Sequence, residues 1–156
     1  MGWAVALLGV TGLLVLAASP GWLAESPGAM IRYGFSFVCH QIPDRSPHLN
    51  GDQLALCHRC SGILLGLALG VAATIVIPPR VGRRALDVHP VVFLTAAGLP
   101  TAVDWLLGAT GVWPNTPVSR ILTGVVLGLA AGLLVGRSLL APPPQPTAVP
   151  SPNLLA

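Results

Sequence analysis

The chain has 156 residues, 53% of them apolar and 8% charged, with a mean hydropathy of +0.77 and a formal charge of +3. A soluble domain carries about 25% charged residues, so this chain has too little charge to clothe a globule in water, and lipid must cover part of its surface. All its basic residues are arginines, scattered and without interleaved aromatics, which excludes nucleic-acid binding as a function class.

In chain order, four apolar spans alternate with short polar stretches. The expected fold class is all-α: a polytopic membrane protein of four transmembrane helices, packed as two helical hairpins with glycine-rich faces. The first span covers about residues 1–23, with no charge before Glu25. A signal peptide cleaved near Ala17-Ala18-Ser19 competes with this reading. However, no positive residue precedes the run, and the run exceeds the length of an h-region, so a retained helix is expected. Residues 26–37 are semi-apolar and interrupted by Pro27, Gly28 and Gly34, which suits either an interfacial helix or a half-buried loop.

The next stretch, Cys39 to Gly62, reads CHQIPDRSPHLNGDQLALCHRCSG and holds all three cysteines and three of the four histidines. Pro43 and Pro47 break any helix, and Asn50-Gly51 is a strong turn signal. The loop therefore folds back and can bring Cys39 to the Cys57–Cys60 pair, which has C-x-x-C spacing at the mouth of the second span, about residues 61–77. The third span, about 90–108, carries one charge, Asp104. The fourth covers about 118–140. Each has roughly the 17–25 apolar residues that a spanning helix needs. Glycines recur every four residues at 62, 66 and 70 and again at 124, 128, 132 and 136. Such small faces let helices approach closely in lipid, within a chain or between chains, so a homo-oligomer is a possible assembly. The two glycine series also resemble each other, as two related hairpins in one orientation would. Residues 141–156 are proline-rich and read as an extended or disordered tail.

Arg80, Arg83 and Arg84 lie between the second and third spans, and Arg137 closes the fourth on the same side. Because cytoplasmic loops favour arginine, this side is expected inside. Both termini are then cytoplasmic and the Cys/His loop extracytoplasmic. Asp104 falls on the loop's side. A carboxylate within a span is costly and is usually paired or functional. Arg120 is its first candidate partner, with Arg45 and Arg59 as others.

Three chemistries suit the cysteines. A metal site comes first. Thiolates and imidazoles are the usual zinc donors, three sulfurs are present, and His40, His58, His48 or water could complete the set. Thiol redox chemistry comes second, using Cys57 and Cys60 with Arg59 and His58 between them to favour a thiolate. A structural disulfide comes third and leaves one cysteine over. No G-x-S-x-G, H-E-x-x-H or Walker sequence occurs, so enzymatic activity is left open.

The elements CHQIPDRS at Cys39–Ser46 and LNGDQLALCHRCSGILLG at Leu49–Gly66, with Asp104 and RILTG at Arg120–Gly124, resemble the domain of unknown function 2085 family of small prokaryotic membrane proteins. The resemblance covers about residues 37–136. It implies no named activity. The residues it carries over are Cys39, His40, Gln41, Pro43, Arg45, Ser46, Cys57, Arg59, Cys60, Gly62, Asp104 and Arg120. Trp105 stands where the family has glycine, and His58 occupies a variable position, so His40 is the preferred fourth ligand. The resulting expectation is a zinc site of Cys39, His40, Cys57 and Cys60. Gln41, Arg45, Ser46, Arg59, Asp104 and Arg120 would surround it as supporting or substrate contacts. The alternatives are a membrane thiol-disulfide oxidoreductase and a structural or accessory membrane subunit. The bilayer is the one partner the sequence names.

Overall fold

The computed structural model describes residues 2–76 and 89–140. The arginine cluster at 80–84 and the proline-rich tail lie outside these residues. Among the described residues five helices carry the fold: α1 (Gly2–Ala18), α2 (Glu25–Ser36), α3 (His58–Val76), α4 (Pro90–Ala109) and α5 (Pro117–Leu140). Four of them, α1 (with the turn that follows it), α3, α4 and α5, are long and apolar enough to cross a membrane. The chain is thus an all-α polytopic membrane protein. Its outward faces carry Leu8, Val76, Val91 and Val118, each well over half exposed, as side chains that meet hydrocarbon should be.

The most extensive packing joins α3 to α5. Gly62, Gly66 and Gly70 of α3 face the backbone at Ile121, Val125 and Leu129. Gly124, Gly128 and Gly132 of α5 face Arg59, Ile63 and Leu67 in return. These positions rise together along both chains, so the two helices run parallel. A methyl group on Gly124 would lie 2.5 Å from the Arg59 carbonyl oxygen, a distance no real contact tolerates. Backbone therefore rests on backbone along this seam. The remaining spans flank it, α1 on α3 and α4 on α5.

Each flank is held by a polar link as well as by packing. Trp3 Nε1 donates to the Val71 carbonyl at 2.8 Å, fastening α1 to α3 at one end of the bundle. Thr101 Oγ1 donates to the Thr123 carbonyl at 2.9 Å, fastening α4 to α5. Pro100 lies inside α4, where it removes one backbone donor.

α2 resolves the ambiguity of residues 26–37 in favour of a helix. Its 12 residues are too few to span a bilayer. The chain then leaves helical geometry. A 3₁₀ turn at Pro43–Arg45 leads to a two-stranded hairpin, β1 (His48–Leu49) and β2 (Asp52–Gln53), paired antiparallel with His48 opposite Gln53. Asn50 and Gly51 turn it with φ of 55° and 91°, the two positive values a tight hairpin requires. The hairpin is pinned to the end of α1: Asn50 Nδ2 donates to the Gly21 carbonyl at 2.8 Å, and the Ala55 N–H donates to Ala17 at 3.0 Å. Leu49 packs so closely on Gly21 that a methyl there would meet its Cβ at 2.6 Å. The described core gathers here, around Ala17, Cys39, Ala55 and Leu56.

Candidate functional site

All the elements that build the site meet at one mouth of the bundle. These are the segment after α2, the start of α3, the end of α4, and the start of α5 with its preceding loop. Cys57 is the residue before α3. Its carbonyl accepts the N–H of Ser61 at 2.9 Å, the first bond of the helix. Cys60 follows one turn on. Cys39 arrives from the other end of the folded-back loop and is 3% exposed. The three sulfurs all lie within 4.8 Å of one another. None is in a disulfide.

Their hydrogen bonds favour negative charge. The Cys57 N–H donates to Cys39 Sγ at 3.2 Å. Cys57 Sγ accepts from the Cys60 thiol and from the backbone N–H groups of Cys60 and Arg59, and these bonds outweigh burial to pull its pKa from 9.0 to about 5. It is a helix N-cap made with sulfur: the orphan donors of the first turn point at the thiolate.

The histidines lie elsewhere. His40 is exposed and lines the cavity beside the cysteines, but its ring lies outside the group formed by the three sulfurs. His58 Nδ1 donates to the Arg45 carbonyl at 2.8 Å, and His48 is on the hairpin. Gln41 and Ser46 brace the loop. Gln41, at φ 48°, donates through Nε2 to the carbonyls of Arg32 at 2.7 Å and Ala55 at 2.9 Å. Its own carbonyl accepts from Gln53 Nε2 at 2.5 Å. Ser46 is 3% exposed, and its hydroxyl donates to Ile42 at 2.9 Å.

Asp104 pairs with Arg59, one of the alternatives the sequence offered, and not with Arg120, its first candidate. The reason is the seam: α3 meets α5 on its glycine face, and Arg59, one turn before Gly62, is carried to the side where α4 presents its carboxylate. Arg120 is joined to Asp104 through Asn115. That amide accepts from Arg120 Nη2 at 2.5 Å and donates to the Asp104 carbonyl at 3.1 Å. Asn115 is the functional residue that sequence reasoning missed. Its signal was being the one amide side chain between the third and fourth spans. Gly108 makes room for it, since a methyl there would lie 2.5 Å from Asn115 Nδ2.

A cavity of about 470 Å³ opens beside the sulfurs. Its polar lining includes the three cysteines, Arg45, Arg59, Arg120 and Asn115, and its apolar wall includes Ile63 and Trp105. Among the described residues no carboxylate lines it.

Residues 39–134 match a family described as a predicted membrane protein, domain of unknown function 2085. An uncharacterized protein of Methanocaldococcus jannaschii is 32% identical over 97 residues, 60% of this chain and 58% of that protein. The chain thus spans little more than half of that relative. An uncharacterized protein of Methanothermobacter thermautotrophicus is 29% identical over 105 residues, 67% of this chain and 90% of that one. No solved structure matches. The matched stretch contains the loop, all three cysteines, Asp104, Arg120 and the glycine seam, and the chain belongs to the domain of unknown function 2085 family of membrane proteins.

Proposed function

We propose that this membrane protein holds a metal ion on Cys39, Cys57 and Cys60, with zinc the ion the donor set favours. One observation carries the reading: three sulfurs from two distant parts of the chain lie within 4.8 Å of one another. Around zinc, with Zn–S bonds of about 2.3 Å, tetrahedral sulfurs stand about 3.8 Å apart. Shifts of under about 1 Å reach that arrangement. The N–H groups aimed at Cys39 and Cys57 sulfurs are what a buried thiolate needs to stay charged. His40 lines the same cavity as the three cysteines and would supply a fourth ligand, or a ligand from outside would. Arg59, Asp104, Asn115 and Arg120 hold the three helices in register around the site, and Gln41 and Ser46 brace the loop. The membrane domain of this reading covers residues 1–140, followed by the tail at 141–156.

Elemental analysis with thiol counting on detergent-purified protein tests it. About one zinc per chain is expected, as a single four-ligand site requires. The thiols should resist alkylation until the metal is stripped, and each Cys→Ser change should lower both metal content and thermal stability. His40→Ala reports on the fourth ligand, losing metal only if the imidazole binds.

A thiol-disulfide oxidoreductase is the second reading, favoured by the low pKa of Cys57 at a helix start. Metal-free protein with a reducible Cys57–Cys60 disulfide would put it first. In either case the arginine bias of the sequence supports an extracytoplasmic site, so a fluorescent protein fused after Leu140 should fold and glow in the cytoplasm. A dark fusion with intact membrane insertion would reverse the orientation.

A further inference from the structure

The cavity beside the sulfurs is cationic, and its charge is not used up by the chain. Of its three arginines, Arg59 is paired with Asp104. Arg120 bonds to the neutral amide oxygen of Asn115. Arg45 is exposed and in no ion pair among the described residues. Arg120 feels the charges of Arg45 and Arg59 and, against them, those of Asp104 and Cys57. Even a zinc ion on three thiolates, which leaves one negative charge, does not balance them.

A second cavity, of about 790 Å³, lies against the first. It runs between α1, α2 and α3, and its lining, which includes Leu16, Phe35, Leu56 and Leu64, is apolar. Val38, Cys60 and Ile63 line both cavities. A cationic chamber at the mouth of the bundle therefore shares a wall with an apolar cleft along the spans. A molecule that fits both has an anionic head and a hydrocarbon chain.

We propose that the protein binds one anionic lipid, its phosphate or carboxylate head held by Arg45 and Arg120 beside the three sulfurs and one chain laid in the cleft between α1, α2 and α3. Guanidinium forks match both oxyanions in two-point geometry. The cleft adds little affinity, because a lipid tail is already out of water and gains no hydrophobic free energy on moving to an apolar groove. Its part is to give the chain of a head-bound lipid a path along the spans. A head with a chain then reaches the arginines from the apolar phase, while a free anion must come from water. The head supplies the affinity, through charge-assisted bonds at the edge of a low-dielectric region. The inference stands whether or not the sulfurs hold metal.

The test is native mass spectrometry of the full chain in neutral detergent, with its metal content measured and an equimolar mixture of phosphatidic acid and phosphatidylcholine added. One saturable phosphatidic acid adduct per chain is expected, favoured about tenfold or more over phosphatidylcholine, as loss or gain of a charge-assisted hydrogen bond implies. Arg45→Gln, on an exposed loop, should erase most of that preference while circular dichroism and metal content stay unchanged. Arg120→Gln should deepen the loss. Gly34→Phe tests the chain: Gly34 lines the cleft and a Cβ there meets nothing within 4 Å, so the ring should occupy the cleft and weaken the adduct while circular dichroism stays unchanged. Equal adducts of the two lipids, or a preference indifferent to Arg45→Gln, would overturn the proposal. Displacement of the lipid by millimolar inorganic phosphate with equal ease would also overturn it, by showing that the site takes a free anion.

Discussion

Cys57 caps α3 with its sulfur, and that one position determines its chemistry. An ordinary thiol is largely protonated below pH 8.5. At Cys57 the Cys60 thiol and two backbone N–H groups favour the thiolate, and the pKa falls from 9.0 to about 5. Alkylation follows the thiolate, which is lost only as pH falls through the folded-state pKa. In metal-stripped protein, the Cys57 peptide should therefore be carboxamidomethylated at a nearly constant rate from pH 8 down to about pH 6 and slow steeply near pH 5. Peptide mass spectrometry at a series of pH values reads this directly, and a rate that tracks an ordinary thiol would remove the capping argument. Residue identity and spacing made Cys57 and Cys60 legible as a pair, because three residues of helix place them one turn apart on any fold. The side a residue faces off a helix was not legible. Cys39 and His40 are neighbours in sequence, yet the first is buried among Ala17, Ala55 and Leu56 and the second is exposed. The Cys39 N–H still bonds back to Phe35 at 3.0 Å and Gln41 turns the chain at φ 48°, so no regular period applies here to say which of the two faces inward.

At the scale of elements, glycine spacing states that a helix has a smooth face, but it does not state which helix meets it. The seam is parallel, between the second and fourth spans, and it is made of backbone contacts that no rotamer change can relieve. Gly66→Leu or Gly128→Leu should therefore cost more than the roughly 1–3 kcal/mol of ordinary overpacking, enough to prevent the bundle from forming. Gly9 and Gly12 on α1 provide the contrast, since a methyl at either meets nothing within 4 Å. Alanine there should leave stability unchanged or raise it by up to about 1 kcal/mol, through reduced freedom of the unfolded chain. Size-exclusion recovery after stepwise heating in detergent separates the two sets, and equal losses in both would remove the seam as the cause, since every one of these changes raises helix propensity. The hairpin was legible for a local reason: Asn50-Gly51 supplies both positive φ values without reference to anything distant. The helix over Glu25–Ser36 was not, because Pro27, Gly28 and Gly34 argue against it locally. Pro27 falls in the helix's first turn, where it removes no bond, and Gly28 lies close against Pro20.

For the whole molecule, the path Arg59–Asp104–Asn115–Arg120 ties three helices together at the mouth where the sulfurs gather. Arg59 and Asp104 side chains are 20% and 10% exposed, so both charges are largely removed from water. Such a pair contributes little net stability, because desolvation offsets most of its attraction, yet losing one member is costly. Arg59 shows this vulnerability already: its Nε is buried without a hydrogen-bond partner. Asp104→Leu should destabilise the protein by about 3–5 kcal/mol, the usual cost of stranding one buried charge. Adding Arg59→Met should restore much of that loss, since an apolar pair of similar volume needs no desolvation. Full additivity of the two changes in a double-mutant cycle would show that the residues act separately. Metal content separates stability from site geometry in the same experiment. If the network exists to hold the mouth of α3 against α4 and α5, the double variant regains its thermal stability but binds zinc more weakly than the parent. Arg59 lies between Cys57 and Cys60, and a methionine there packs without fixing how the first turn of α3 meets the carboxylate on α4. Restored stability with undiminished zinc would instead mean that the sulfurs are set by the loop and the seam alone.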